Sequence, residues 1–172
     1  MTKAARILSA GLAGGAALNV GMLATFRLLG FGWSGGGFLL DPSRQSPKLI
    51  AVWTVLEPLP LVLTNPAWAG AWLHLFGIVH AAVYEAVVGA WSPGKLGRAV
   101  KLASILLSQY AFWEFFTPYN LFGEPLVLVF SELAFWALVA TAEALAIVWV
   151  HDWAARRSGR TQPQEGRCKC AH

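Results

Sequence analysis

Six histidine and glutamate side chains fall in the interior of long, mainly apolar stretches of this chain. His74, His80 and Glu85 lie within 67–91, Glu114 within 97–117, and Glu132 and Glu143 within 126–151. Each stretch is long enough to cross a bilayer as a helix, and an ionisable group at that depth is costly and a functional candidate by default. A carboxyl group displaced toward neutral pH suits acid–base chemistry. On that ground Glu114 and Glu132 are candidate catalytic groups, with Tyr110 one turn from Glu114 on the same helix and His74 to orient them. His74, His80, Glu85, Glu143 and Glu57 are candidate ligand-binding groups. One histidine with two carboxylates is also a workable ligand set for a divalent metal, which makes His74, Glu114 and Glu132 the candidate metal ligands.

Position along a helix converts to depth at about 1.5 Å per residue. With midpoints near Val79, Ser108 and Leu138, His74 lies about 7 Å and Glu114 and Glu132 about 9 Å toward one side. Glu85 and Glu143 lie roughly 7 to 9 Å toward the other, and His80 is nearly central. His74 and Glu85 are separated by eleven residues, as are Glu132 and Glu143, a spacing that returns each pair to nearly one helix face. The expected outer layer is therefore His74, Tyr110, Glu114 and Glu132, with Glu57 dipping in; the inner layer is Glu85 and Glu143. His80 points about 120° away from His74 and is read as packing.

Four intramembrane carboxylates facing no intramembrane Lys or Arg have three outcomes open to them. They are protonated and serve as structural glue, they line a proton, cation or lipid-like-ligand path, or they hold a metal. Other chemistries lack their motifs. There is no Glu-x-x-His pair on matched helices and no His-Glu-x-x-His. The three glycines at 35–37 are not followed by Lys-Ser/Thr, so they make no phosphate loop. Ser104 and Ser108 have no histidine and acid at defined spacing. Cys168 and Cys170, with His172, could hold a soft metal, but at the ordering cost of a free tail.

The elements that must position these groups follow from hydropathy. Of 172 residues 56% are hydrophobic and 13% charged, against roughly 25% charged in a soluble domain, and the apolar residues come in long blocks. Spans are expected at about 4–30, 67–91, 97–117 and 126–151. The first follows Lys3 and Arg6 but is about twice the length of a signal-peptide core, which favours a retained span. It carries small residues at Gly11 and Gly15, a surface for close helix approach, and Asn19, which needs a partner on another helix. The apolar segment 49–63 is short for a span and is interrupted by Pro58 and Pro60, so it reads as re-entrant or interfacial. The residues from 158 to 172 read as a disordered cytoplasmic tail.

Basic residues set the orientation. With four spans, Lys3, Arg6, Lys95, Arg98, Lys101 and five tail residues fall on one side, against Arg27, Arg44 and Lys48 on the other. Both termini are thus expected in the cytoplasm. The net charge of +4 is spread over loops and ends in this way, which speaks against nucleic-acid binding. Most of the nine tryptophans sit at span ends, as interfacial anchors do. The hydropathy pattern resembles that of small four-span bacterial membrane proteins, which places the chain in the bacterial inner membrane.

The reading is an all-α integral membrane four-helix bundle with a short re-entrant or interfacial segment after the first span. Its expected function is that of an accessory or small-molecule-binding membrane bundle with a buried His/Glu face; the alternative is an intramembrane enzyme or carrier for a lipid-soluble or cationic substrate. Its expected partners are membrane lipid, a lipid-soluble small molecule or other membrane subunits.

Overall fold

The computed structural model describes residues 2–91 and 94–159, and among these it is helical with no strand. Cys168, Cys170 and His172 lie outside the described residues, as does the tail from 160. Helix α1 (Lys3–Met22) begins at Thr2, whose hydroxyl accepts from the Ala5 N–H, and continues as a π-helical stretch, Leu23–Gly30. A loop with a short α2 (Pro47–Thr54) and a single turn α3 (Leu61–Thr64) leads to α4 (Pro66–Val87). Asn65 caps α4 by accepting from the Trp68 N–H at 3.1 Å, and Pro66 occupies the first turn, where its missing N–H costs nothing. Helix α5 (Lys95–Glu114) runs into a second π-helical stretch, Phe115–Leu121, and α6 (Leu126–Gly159) closes the described chain.

Among the described residues, three helices are long and apolar enough to cross a membrane: Lys3–Gly30, Pro66–Ala90 and Leu126–Arg157. Helix α5 has the length, but Lys95, Arg98 and Lys101 in its first two turns lower its hydropathy. The last helix extends eight residues beyond the expected end at 151, into the Arg156–Arg157 region.

Helix α1 is the centre of the packing, with α4 on one side and α6 on the other, while α5 lies against α6. Small residues make this possible. A Cβ placed on Gly77 would stand 2.7 Å from the Gly15 Cα, and one on Gly14 would stand 2.6 Å from Ile147 Cγ1. Both are inside van der Waals contact, so the α1–α4 and α1–α6 approaches require glycine there. The apolar core between the helices includes Ala10, Tyr84, Leu102, Leu106, Ala140 and Ile147.

The 49–63 segment forms no helix long enough to cross a membrane: α2 has 8 residues and α3 has 4. Its first half, α2, docks through buried Leu49 and through Trp53, whose ring lies 4.5 Å from that of Phe31. Residues 54–58 and 61–64 are exposed. Glu57 is among the exposed residues, its carboxylate 3.3 Å from the Leu59 N–H, so it does not enter the polar interior as expected. The two prolines that follow leave it no helical register to carry it inward.

Candidate functional site

The buried polar groups form three centres at successive levels of the bundle. At the level where α5 ends and α6 begins, Glu114, Glu124 and Glu132 each offer one carboxylate oxygen within 4.8 Å of the others, and all three residues are buried. Local backbone explains how the connection delivers Glu124. The π-helical stretch contains Pro118, and Gly123 adopts φ +68°, a left-handed conformation suited to glycine. The chain reverses there, with the Glu124 N–H donating to the Pro118 carbonyl at 3.0 Å. Glu124 then points inward, 1% exposed. From the other direction the loop after α1 folds over the site. Leu39 is fully buried, Ser46 donates to the Phe122 carbonyl, and Gln45 Nε2 donates to Leu39 O at 3.0 Å and to Glu124 Oε1 at 2.5 Å. Trp136 Nε1 donates to Glu114 Oε1. Glu124 Oε2 is buried with no hydrogen-bond partner, and Glu114 Oε2 is buried with only the Glu132 carboxyl beside it. Burial pushes the Glu124 carboxyl above the usual glutamate range, opposed by the Gln45 hydrogen bond and reinforced by the charge of Glu114. Phe26, Leu39 and Leu128 form a buried apolar cluster, with Phe38, Phe135 and Trp136 packed against it.

One level deeper, His80 Nδ1 lies 2.7 Å from Glu143 Oε1, and the Tyr110 hydroxyl donates to Glu143 Oε2 at 3.1 Å. Glu143 is 0% exposed. The two upper centres touch through aromatic rings, since Tyr110 stacks on Trp136 with centroids 4.2 Å apart and planes 25° apart.

At the opposite end Glu85 accepts from Arg6 through both oxygens, one of these bonds being 3.0 Å, and also from His151 Nε2. Arg98 bonds to Asp152 at 2.5 Å, and His151 Nδ1 stands 3.7 Å from the Asp152 carboxylate. Tyr84 presents its ring edge to His151 with centroids 5.0 Å apart.

This distribution corrects several expectations. The metal set His74, Glu114 and Glu132 is not assembled: His74 faces α1, its Nδ1 donating to the Gly70 carbonyl at 2.9 Å beside the Asn19 side chain. Asn19 finds its interhelical partner there, donating to Gly70 O at 3.2 Å. His80 does not merely pack but binds Glu143, because α6 rather than α1 meets its face of α4. Tyr110 bonds to Glu143 and not to Glu114 on its own helix. Glu85 is not without a basic partner, since Arg6 one helix away reaches it. Glu143 and Glu85 share no contact layer: one faces His80 and Tyr110, the other Arg6 and His151.

Glu124 and Gln45 are the residues of this candidate site least visible in the sequence. Both lie in connections, where depth cannot be read from helical rise. The available signal was Gly-Glu-Pro, a carboxylate between a turn glycine and the first residue ahead of a span. Two surface grooves run along α5, one lined by Ser108, Phe112, Phe116 and Asn120 and the other by Ala99, Ala103, Leu107 and Thr141; neither includes any of the buried acids. Comparisons with protein-family models, curated proteins and solved structures find no match for this chain.

Proposed function

We propose that the chain is a four-span inner-membrane protein whose buried acid face binds a small positively charged ligand. The observation that carries the reading is the convergence of Glu114, Glu124 and Glu132 away from any of the ion pairs made by Arg6, Arg44 and Arg98. Three carboxylates cannot all ionise at this separation in a buried site without a compensating positive charge.

Assigning α5 as the fourth span rests on its outer face. Ile105, Phe112, Trp113 and Phe116 are all exposed there, an apolar surface that lipid would cover. Its basic first turns belong to a belt at one end of the bundle, where Lys95 lies 5.9 Å over Trp149, Lys101 5.9 Å over Trp91 and Arg157 3.8 Å over Trp153. Cations and tryptophans together mark an interface, and the basic excess makes it the cytoplasmic one.

The test has two parts. Single cysteines at Lys95 and Asn120, which flank α5, in a chain with Cys168 and Cys170 replaced, should label from opposite sides of inverted and right-side-out vesicles; labelling from one side removes the four-span assignment. The purified protein in detergent is then screened for thermal stabilisation by inorganic cations and by primary amines. Stabilisation that disappears in Glu114→Gln supports the reading, and a flat response to every cation and amine removes it.

A second reading, a carrier moving a proton or cation, draws on the contact between the two upper centres through Tyr110 and Trp136. Ion flux into proteoliposomes that is abolished by Glu143→Gln would favour it over static binding.

A further inference from the structure

We propose that Glu114, Glu124 and Glu132 form a binding site for one hard divalent cation of the Mg²⁺, Ca²⁺ or Mn²⁺ class. The inference rests on the cation-binding reading above and names its ligand. The first support is donor chemistry: all three donors are carboxylate oxygens, with no sulfur or imidazole, the set that selects hard ions over zinc or copper.

The second is spacing. Oxygens at about 2.3 to 2.6 Å from a calcium ion are at most about 5 Å apart across it, and roughly 3 to 4 Å apart when adjacent. A 4.8 Å limit on the separations among the three donor oxygens therefore matches a shared ion with little movement of the helices.

The third is independent of the clustering. Glu124 Oε2 is buried with no partner, in a residue only 1% exposed, while its other oxygen is tied down by Gln45; Glu114, 7% exposed and held by Trp136, has only the Glu132 carboxyl beside its second oxygen. A buried carboxylate oxygen without a donor is rare in a folded protein and calls for an ion or a proton. The indole and amide hold two ligands in orientation in the way that outer-shell groups do in metal sites. Gln45 is thus a positioning residue. It joins the loop after α1 to a site otherwise built from α5, α6 and their connection, so the ion would tie that loop to the bundle.

The experiment is Mn²⁺ titration of the purified full chain in nanodiscs, followed by the loss of the free-ion electron paramagnetic resonance signal. One saturable Mn²⁺ per chain, displaced by Ca²⁺ or Mg²⁺, is the expected result. Glu132→Gln and Glu124→Gln should abolish it, and Gln45→Leu should weaken it by about tenfold or more. His74→Ala should leave it unchanged. Circular dichroism on each variant confirms the fold, and Glu124→Asp, which keeps the charge but shortens the reach, should bind measurably more weakly than the parent. Mn²⁺ binding that persists undiminished in Glu132→Gln overturns the proposal as adventitious. So does an absence of saturable binding. If primary amines then stabilise the protein and Mn²⁺ does not bind, the metal assignment falls while the cation-binding reading stands; if neither acts, both fall.

Discussion

His80 on α4 and Glu143 on α6 meet at 2.7 Å in the middle of the protein, with Glu143 fully buried. The two residues are far apart in sequence, and their helices otherwise make few contacts, because α1 lies between them along most of their length. The pair therefore links the helices that flank α1 directly. A buried carboxylate that loses its partner keeps its desolvation penalty, so His80→Ala should cost about 1–3 kcal/mol, and Glu143→Gln less. Equilibrium unfolding of the detergent-solubilised variants measures the difference; equal and negligible losses would show that the pair contributes nothing net.

The α1–α4 approach gives a sharper mutational contrast. Alanine at Gly77 would push against the α1 backbone at Gly15 and Gly11, which cannot rotate away as a side chain can. The expected cost is about 1–3 kcal/mol of overpacking. Gly89→Ala meets nothing within 4 Å and should stay within about 0.5 kcal/mol of the parent. Thermal melts of the two variants side by side test this.

At the basic end, Arg6→Met leaves the Glu85 carboxylate with His151 as its remaining partner. Loss of stability should be larger than for Arg44→Met, whose 3.6 Å pair with Asp41 is exposed. The exchange Arg6→Glu with Glu85→Arg should recover part of that loss. A double-mutant cycle on unfolding free energies measures the coupling, and a value near zero would mean that the contact is incidental.

The pH dependence of the cation-free protein has a definite sign. The folded state raises the Glu124 pKa, chiefly by burial, and so binds its proton more tightly than the unfolded chain does. Its contribution is fully present below the ordinary glutamate range and is lost as pH rises through the raised folded value. Melting temperature in chelator should therefore fall across that window, and the fall should shrink in Glu124→Gln. Divalent ions, which compete with the proton, should restore stability on the alkaline side of the window.

Much of the architecture was legible in the apolar blocks. Spacing along each block determines helix length, and the glycines at 11 and 15 announce close approach before any partner is known. The segment at 49–63 was legible too, because prolines 58 and 60 prevent a continuous helix. Arg6 was read for orientation alone, yet a long side chain in the first turn of a helix reaches a carboxylate on its neighbour.

By itself the sequence determined that the chain is helical, that its outer surfaces are apolar, and that several acids lie inside. Which acids meet was decided only by tertiary structure. Helical rise and rotation locate a side chain on its own cylinder, but the partner depends on how the cylinders are rotated and offset against one another. Here that is settled by glycine-mediated contact of α1 with α4 and α6. The same packing turns His74 toward α1, leaves His80 for Glu143, and lets a connection carry Glu124 beside Glu114 and Glu132.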